Sequence, residues 1–153
     1  MNQYTIYAIK EEFAHFFYFR SDVLYRFLKS YEQGEKYDVF ARQFDFITIE
    51  LAETSVLSHI NRFLPSHIHM ARGYNTVKIY NNRHSISLHI GEKHINFWGD
   101  IVHAAEDLFF PVLRLFHPYF FVAGDNVYNS GWIAPVTLAQ NKDKHEQVLY
   151  SYF

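Results

Sequence analysis

Apolar and polar positions change period several times along the chain, and each change marks an element. Tyr4 to Ile9 mixes β-branched and aromatic residues. The Lys10-Glu11-Glu12 that follows suits the opening turn of a helix, because carboxylates favour the positive end of the helix dipole. A strand followed by a helix is predicted. Ser21-Asp22 offers a fresh N-cap, after which Val23, Leu24, Phe27, Leu28 and Tyr31 recur at the i, i+1, i+4, i+5, i+8 spacing of one buried stripe, with Gly34 as its stop. Lys36 to Phe46 also reads as a helix, although Phe44, Phe46, Ile47 and Ile49 equally fit the start of an extended segment. Thr54 caps Ser55 to Phe63, and Pro65 follows that helix's end.

The middle of the chain changes to period two. Thr76 to Tyr80, Ser85 to Ile90 and Ile95 to Trp98 are predicted strands, the last two joined through Gly91-Glu92 as a hairpin. Asp100 caps a helix whose apolar positions Ile101, Ala105, Leu108, Phe109, Val112, Leu113 and Phe116 keep the helical period; Pro111 removes a backbone bond and should kink or split it. Tyr119 to Ala123 is a short apolar strand, and Gly131-Trp132 with Pro135 reads as a turn built on a core Trp. Beyond Val136 the chain turns polar, as a loosely held tail does. With no internal repeat, the expected architecture is one α+β domain over 1–136, a small mixed or antiparallel sheet packed with several helices. Residues 137–153 form a C-terminal extension, partly flexible.

Composition narrows the functional classes. A chain of 153 residues has enough volume for one ordinary core. Aromatic residues make up 20% of it, against only 6 Gly and 4 Pro, which excludes a low-complexity or collagenous chain. Its net charge of −2 is poorly suited to neutralising a phosphate backbone, so direct nucleic-acid binding is not expected. Without cysteine there are no disulfides, thiolate metal sites or cysteine nucleophiles. The amino terminus lacks the pattern of a secretory signal, and no apolar run approaches the roughly 18 residues of a spanning helix. A cytoplasmic monomer with no membrane contact is expected.

The candidate chemistry is sparse. His67-Ile68-His69 would set two imidazoles on one face of a strand, and His84, His89 or His94 could complete a metal or ligand site, the basis for an alternative reading as a small His-dependent enzyme. None of these spacings closes a ligand set, and neither a phosphate-binding loop nor a hydrolase motif is present. No metal or cofactor is expected. Phe13-Ala14-His15-Phe16-Phe17-Tyr18-Phe19 is more informative. At about 100° per residue Phe13 and Phe17 sit together, Phe16 flanks them, and Tyr18 and Phe19 point elsewhere, so the rings encircle the helix. Either the helix is enclosed on all sides, or some of the rings form a partner site. The second reading is favoured because exposed aromatic patches are where interface energy concentrates.

Ile9-Lys10-Glu11-Glu12-Phe13-Ala14 after an N-terminal strand, the Phe109-Phe110-x-Val112-Leu113-Arg114 segment and Gly131-Trp132-x-x-Pro135-Val136 together resemble the sporulation inhibitor of replication family, SirA, of endospore-forming bacteria. Gln43-Phe44-Asp45-Phe46-Ile47-Thr48 adds a further matching block. The resemblance implies a non-catalytic inhibitor that binds the N-terminal domain (domain I) of the replication initiator DnaA and blocks new rounds of replication by occlusion. It places the partner-binding surface on Phe13, Phe17 and Gln43, to which the ring-encircled helix adds Tyr18.

Overall fold

The computed structural model describes residues 2–99, 102–134 and 149–150. Seven strands form a single antiparallel sheet in the order β2-β3-β4-β5-β1-β6-β7: β1 Asn2–Ala8, β2 His69–Arg72, β3 Val77–Tyr80, β4 Ser85–Ile90, β5 Ile95–Gly99, β6 Phe120–Ala123 and β7 Gly131–Trp132. The N-terminal strand therefore lies inside the sheet. It pairs with β5 through Tyr4↔Phe97 and with β6 through Tyr7↔Phe121. The predicted hairpin is β4–β5, closed by the amide of Gly91 donating to the carbonyl of His94 at 2.8 Å. Strand β2 overlaps the strand considered for His67–His69 only at His69, and its residues are half-buried or exposed and carry no apolar alternation.

Around β1 and β6 the sheet buries both faces, which accounts for much of the high ring content. Along β1, Tyr4, Ile6 and Ala8 join one core while Tyr7 and Ile9 join another, as alternate side chains of a strand must. The first core lies beneath α4 Glu53–Phe63, α5 Val102–Leu108 and α6 Phe110–Phe116. The second lies beneath α1 Glu11–Phe17, α2 Ser21–Glu32 and α3 Tyr37–Ile47. In β6 the same alternation sends Phe120 and Val122 one way and Phe121 and Ala123 the other. The molecule is a single α+β domain with an antiparallel sheet.

Local signals explain the helix boundaries. α2 ends where Gly34 takes a positive φ of 80°, which costs a glycine least. Leu24 and Leu28 of its predicted stripe are fully buried, but Val23 is 40% exposed and Tyr25 takes the inward place. The long helix predicted after residue 100 is divided at Phe109, with Pro111 in the first turn of α6, where its missing N–H has no helical partner to lose. The predicted cap Asp100 and the stripe residue Ile101 lie outside the described residues. So does most of the expected extension. Of it, Leu149 packs against the first core, and Tyr150 exchanges backbone hydrogen bonds of 2.8 Å with Trp132, which is itself fully buried.

Candidate functional site

The two helices that carry the predicted site residues leave the same end of β1. The amide of Lys10, which precedes α1, donates to the carbonyl of Ile47 at the end of α3 (2.9 Å), and the amide of Ile49 donates to the carbonyl of Ala8 (2.8 Å). From the other side of the sheet, Ile9 donates to the Tyr119 carbonyl at 2.9 Å and accepts from the His117 ring Nε2 at 2.8 Å. Burial pushes the pKa of the His117 imidazole below its ordinary value, against the opposing effect of the carbonyl bond. These bonds bring the start of α1 to the end of α3. Phe44 fixes α3 against the core, stacked on Tyr31 at 4.1 Å between ring centroids and edge-on to Tyr7 at 5.7 Å.

Between α1 and α3 lies an open groove of about 550 Å³, lined by Glu12, Phe13, Phe16, Phe17, Phe27, Gln43, Phe46 and Ile47. The structure thus brings Phe13, Phe17 and Gln43 to one concavity. Phe13 and Phe17 are half-buried and pack against the second core, while Gln43 is exposed. Phe16 stands perpendicular to Phe17 at 4.9 Å and is 58% exposed. Phe46 rises on the opposite wall, edge-on to Phe13 at 5.2 Å and 64% exposed. Monomeric surfaces rarely keep so many rings in contact with water without a partner.

Tyr18 is not part of this surface. The backbone tightens into a 3₁₀ turn over Tyr18–Arg20, but Tyr18 follows the fully buried Ala14 by four positions, and the ordinary helical period carries its ring to that inward face. There it is 1% exposed and its ring lies 6.5 Å from that of Trp132. Sequence reasoning missed Phe27 and Phe46 as lining residues. Phe46 follows Gln43 by three positions and so shares its helix face, a signal the sequence carries once α3 is taken to be helical through Ile47.

The groove is built for binding. Among its lining residues Glu12 is the only ionisable group, so no acid–base pair is available within it. Two cations flank it: the Lys10 ammonium sits 5.3 Å over the Phe46 ring and the Arg20 guanidinium 5.4 Å over the Phe16 ring. The histidines considered as ligands lie apart. His67 is in the turn before β2 and His69 begins that strand, so the two do not share a strand face. His69 leans on Tyr80, His84 faces the Asp107 carboxylate at 3.4 Å, and His94 is half-buried with its ring 6.4 Å from that of Tyr7. Among the described residues no three His, Asp or Glu side chains are grouped to hold a metal ion, and no helix is long and apolar enough to cross a membrane.

The molecule is thus a sheet flanked by helices that bears an open, mostly apolar groove, and comparison with known proteins gives the family. The model of the family described as sporulation inhibitor of replication protein SirA matches residues 2–137, and the chain belongs to that family. A curated relative, the sporulation inhibitor of replication protein SirA of Bacillus subtilis (strain 168), is 26% identical over 148 residues, covering 87% of this chain and 93% of that protein. The family is one of replication regulators acting in sporulation, not of enzymes.

Proposed function

We propose that this protein restrains replication during sporulation by seating domain I of the initiator DnaA in the groove between α1 and α3. Phe13 and Phe17 supply the apolar anchor and Gln43 a directional amide, and the bound domain is occluded from its other partners. One observation carries this reading: Phe13, Phe17 and Gln43, separated by up to thirty positions in sequence, line a single apolar groove whose rings are open to solvent. Apolar anchors in concave sites, edged by a few polar groups, are where binding energy concentrates. The protein needs no cofactor, acts in the cytoplasm as a monomer, and touches neither nucleic acid nor membrane. Residues 1–136 serve as the family domain, and 137–153 as an extension to it.

Titration of the purified protein with DnaA domain I tests the proposal. Saturable binding by the parent chain, weakened roughly thirtyfold in Phe13→Ala and Phe17→Ala proteins that lose no more than about 1–2 kcal/mol of stability, is the expected result. A parent chain that does not bind domain I, or variants that bind it at full strength, would overturn the assignment.

A further inference from the structure

The groove has a charge pattern as well as a shape. Lys10 lies beside Phe46 at one end and Arg20 beside Phe16 at the other, their backbone positions about 15 Å apart by helical rise. Neither cation has an ion-pair partner among the described residues, although neighbouring charges are matched: Arg26 with Asp22, and Lys93 with both Asp45 and Glu50. Both lie over rings that are themselves more than half exposed, so each is set at the rim of the groove with its charge unanswered. Glu12 belongs to the same face: Glu12, Phe16 and Arg20 follow one another at intervals of four along one row. Glu12 is itself one of the residues lining the groove. Anionic groups are therefore welcome at the ends of the groove and unwelcome alongside Glu12.

We infer that the surface recognised here is an apolar knob flanked on two sides by carboxylates, with Lys10 and Arg20 as the specificity-determining pair. The rings bind whatever apolar group enters, and rim charges then select among apolar surfaces by favouring one sign and opposing the other. This inference deepens the docking reading above and rests on it for the identity of the groove. Because both cations are at the rim, their contribution is screened by salt and appears largely in the association rate.

Two probes test it separately. Domain I is titrated against the parent and the K10Q/R20Q double variant at low and raised salt, with Lys10→Arg as the charge-preserving control. Binding by the double variant should weaken by about tenfold at low salt, and its salt dependence should flatten, as expected for the loss of two rim ion pairs. Lys10→Arg should match the parent. Unchanged affinity and salt dependence in the double variant would overturn the inference while leaving the docking reading intact. Two synthetic helical peptides with the same Phe-Leu knob, one flanked by glutamates and the other by lysines, form the second probe and do not depend on DnaA. The parent chain should prefer the acidic peptide by about tenfold, and the preference should vanish in K10Q/R20Q. Equal binding of both peptides, a preference for the basic one, or binding of neither would overturn the inference even if domain I fails to bind and the docking reading falls with it.

Discussion

The rings of Phe13 and Phe46 meet edge-on with centroids 5.2 Å apart, and this contact joins the two walls of the groove. Phe13 comes from the first turns of the chain and Phe46 from the end of α3. Each ring is therefore both part of the surface and a strut that keeps its neighbour upright. An edge-on aromatic pair adds about 0.5–1.5 kcal/mol beyond the area it buries.

Removing either anchor ring should separate binding from stability. Phe13→Ala and Phe17→Ala are each expected to weaken the affinity for domain I by about 2 kcal/mol, roughly thirtyfold. Because both rings are only half-buried, their loss should lower stability by about 1–2 kcal/mol, less than a fully buried Phe would. Gln43→Ala should weaken binding less and leave melting unchanged. Calorimetric titration beside thermal melts reads both quantities, and loss of stability without loss of affinity would mean that the rings serve the core alone.

Tyr18 and Leu28 should behave in the opposite way. Leu28 is fully buried and Tyr18 nearly so. Their Ala variants should lose about 2–5 kcal/mol in denaturant melts, while the remaining folded fraction binds as the parent does. A Tyr18→Ala protein of parental stability that fails to bind would restore Tyr18 to the docking surface.

Two glycines should tolerate alanine for different reasons and to different extents. Gly34 has nothing within 4 Å of a would-be Cβ and pays only for its φ of 80°, so Gly34→Ala should destabilise by about 1 kcal/mol. At Gly124 the added carbon would collide with the backbone oxygen and side chain of Asn129, whose own contacts shape the turn before β7. Gly124→Ala should therefore lose about 1–3 kcal/mol, the range of overpacking. Equal effects in urea titrations would contradict this difference.

Acid should loosen the groove's foundation. Burial lowers the pKa values of His117 and His94 in the folded state, so the unfolded chain takes up protons first as the pH drops below about 6.5. Their contribution to stability is thus complete above that point and declines as the pH falls through the folded values. Glu106 works the other way: burial raises its pKa against the pull of Arg114, so it disfavours folding as the pH rises through that raised value. His117→Gln should flatten the fall in melting temperature between pH 6.5 and 5.5. An unaltered slope would mean that His117 does not titrate in this range.

The helix wheel places Phe13 and Phe17 in one row, and that part of the site is readable from residue types alone. What the wheel cannot show is where α3 lies relative to α1, because that depends on Ala8, Ile9 and Lys10 bonding to residues near Ile47 and Tyr119. Phe27 and Phe46 reach the groove only through this long-range arrangement. The Tyr18 ring shares a helix row with Ala14, four positions earlier; the wheel groups the two, but only the packing shows that this is the row the core covers. In the sheet, alternation finds β3, β4 and β5 because each buries one side, whereas β2 has only the half-buried Met70 among exposed residues and gives no period to detect.

The support of α1 also sets when the groove can exist during synthesis. Ile9 is held by His117 and Tyr119, about 110 positions later in the chain, and β1 lacks one of its two strand neighbours until Phe120–Ala123 has been made. A ribosome adding residues at about 5–20 per second takes several seconds to pass from the first helix to that strand. Throughout that interval the nascent chain carries the Phe-rich segment without the framework that aligns it. If the groove is the docking surface, it is complete only once the strand that supports α1 has been made, well after α1 itself.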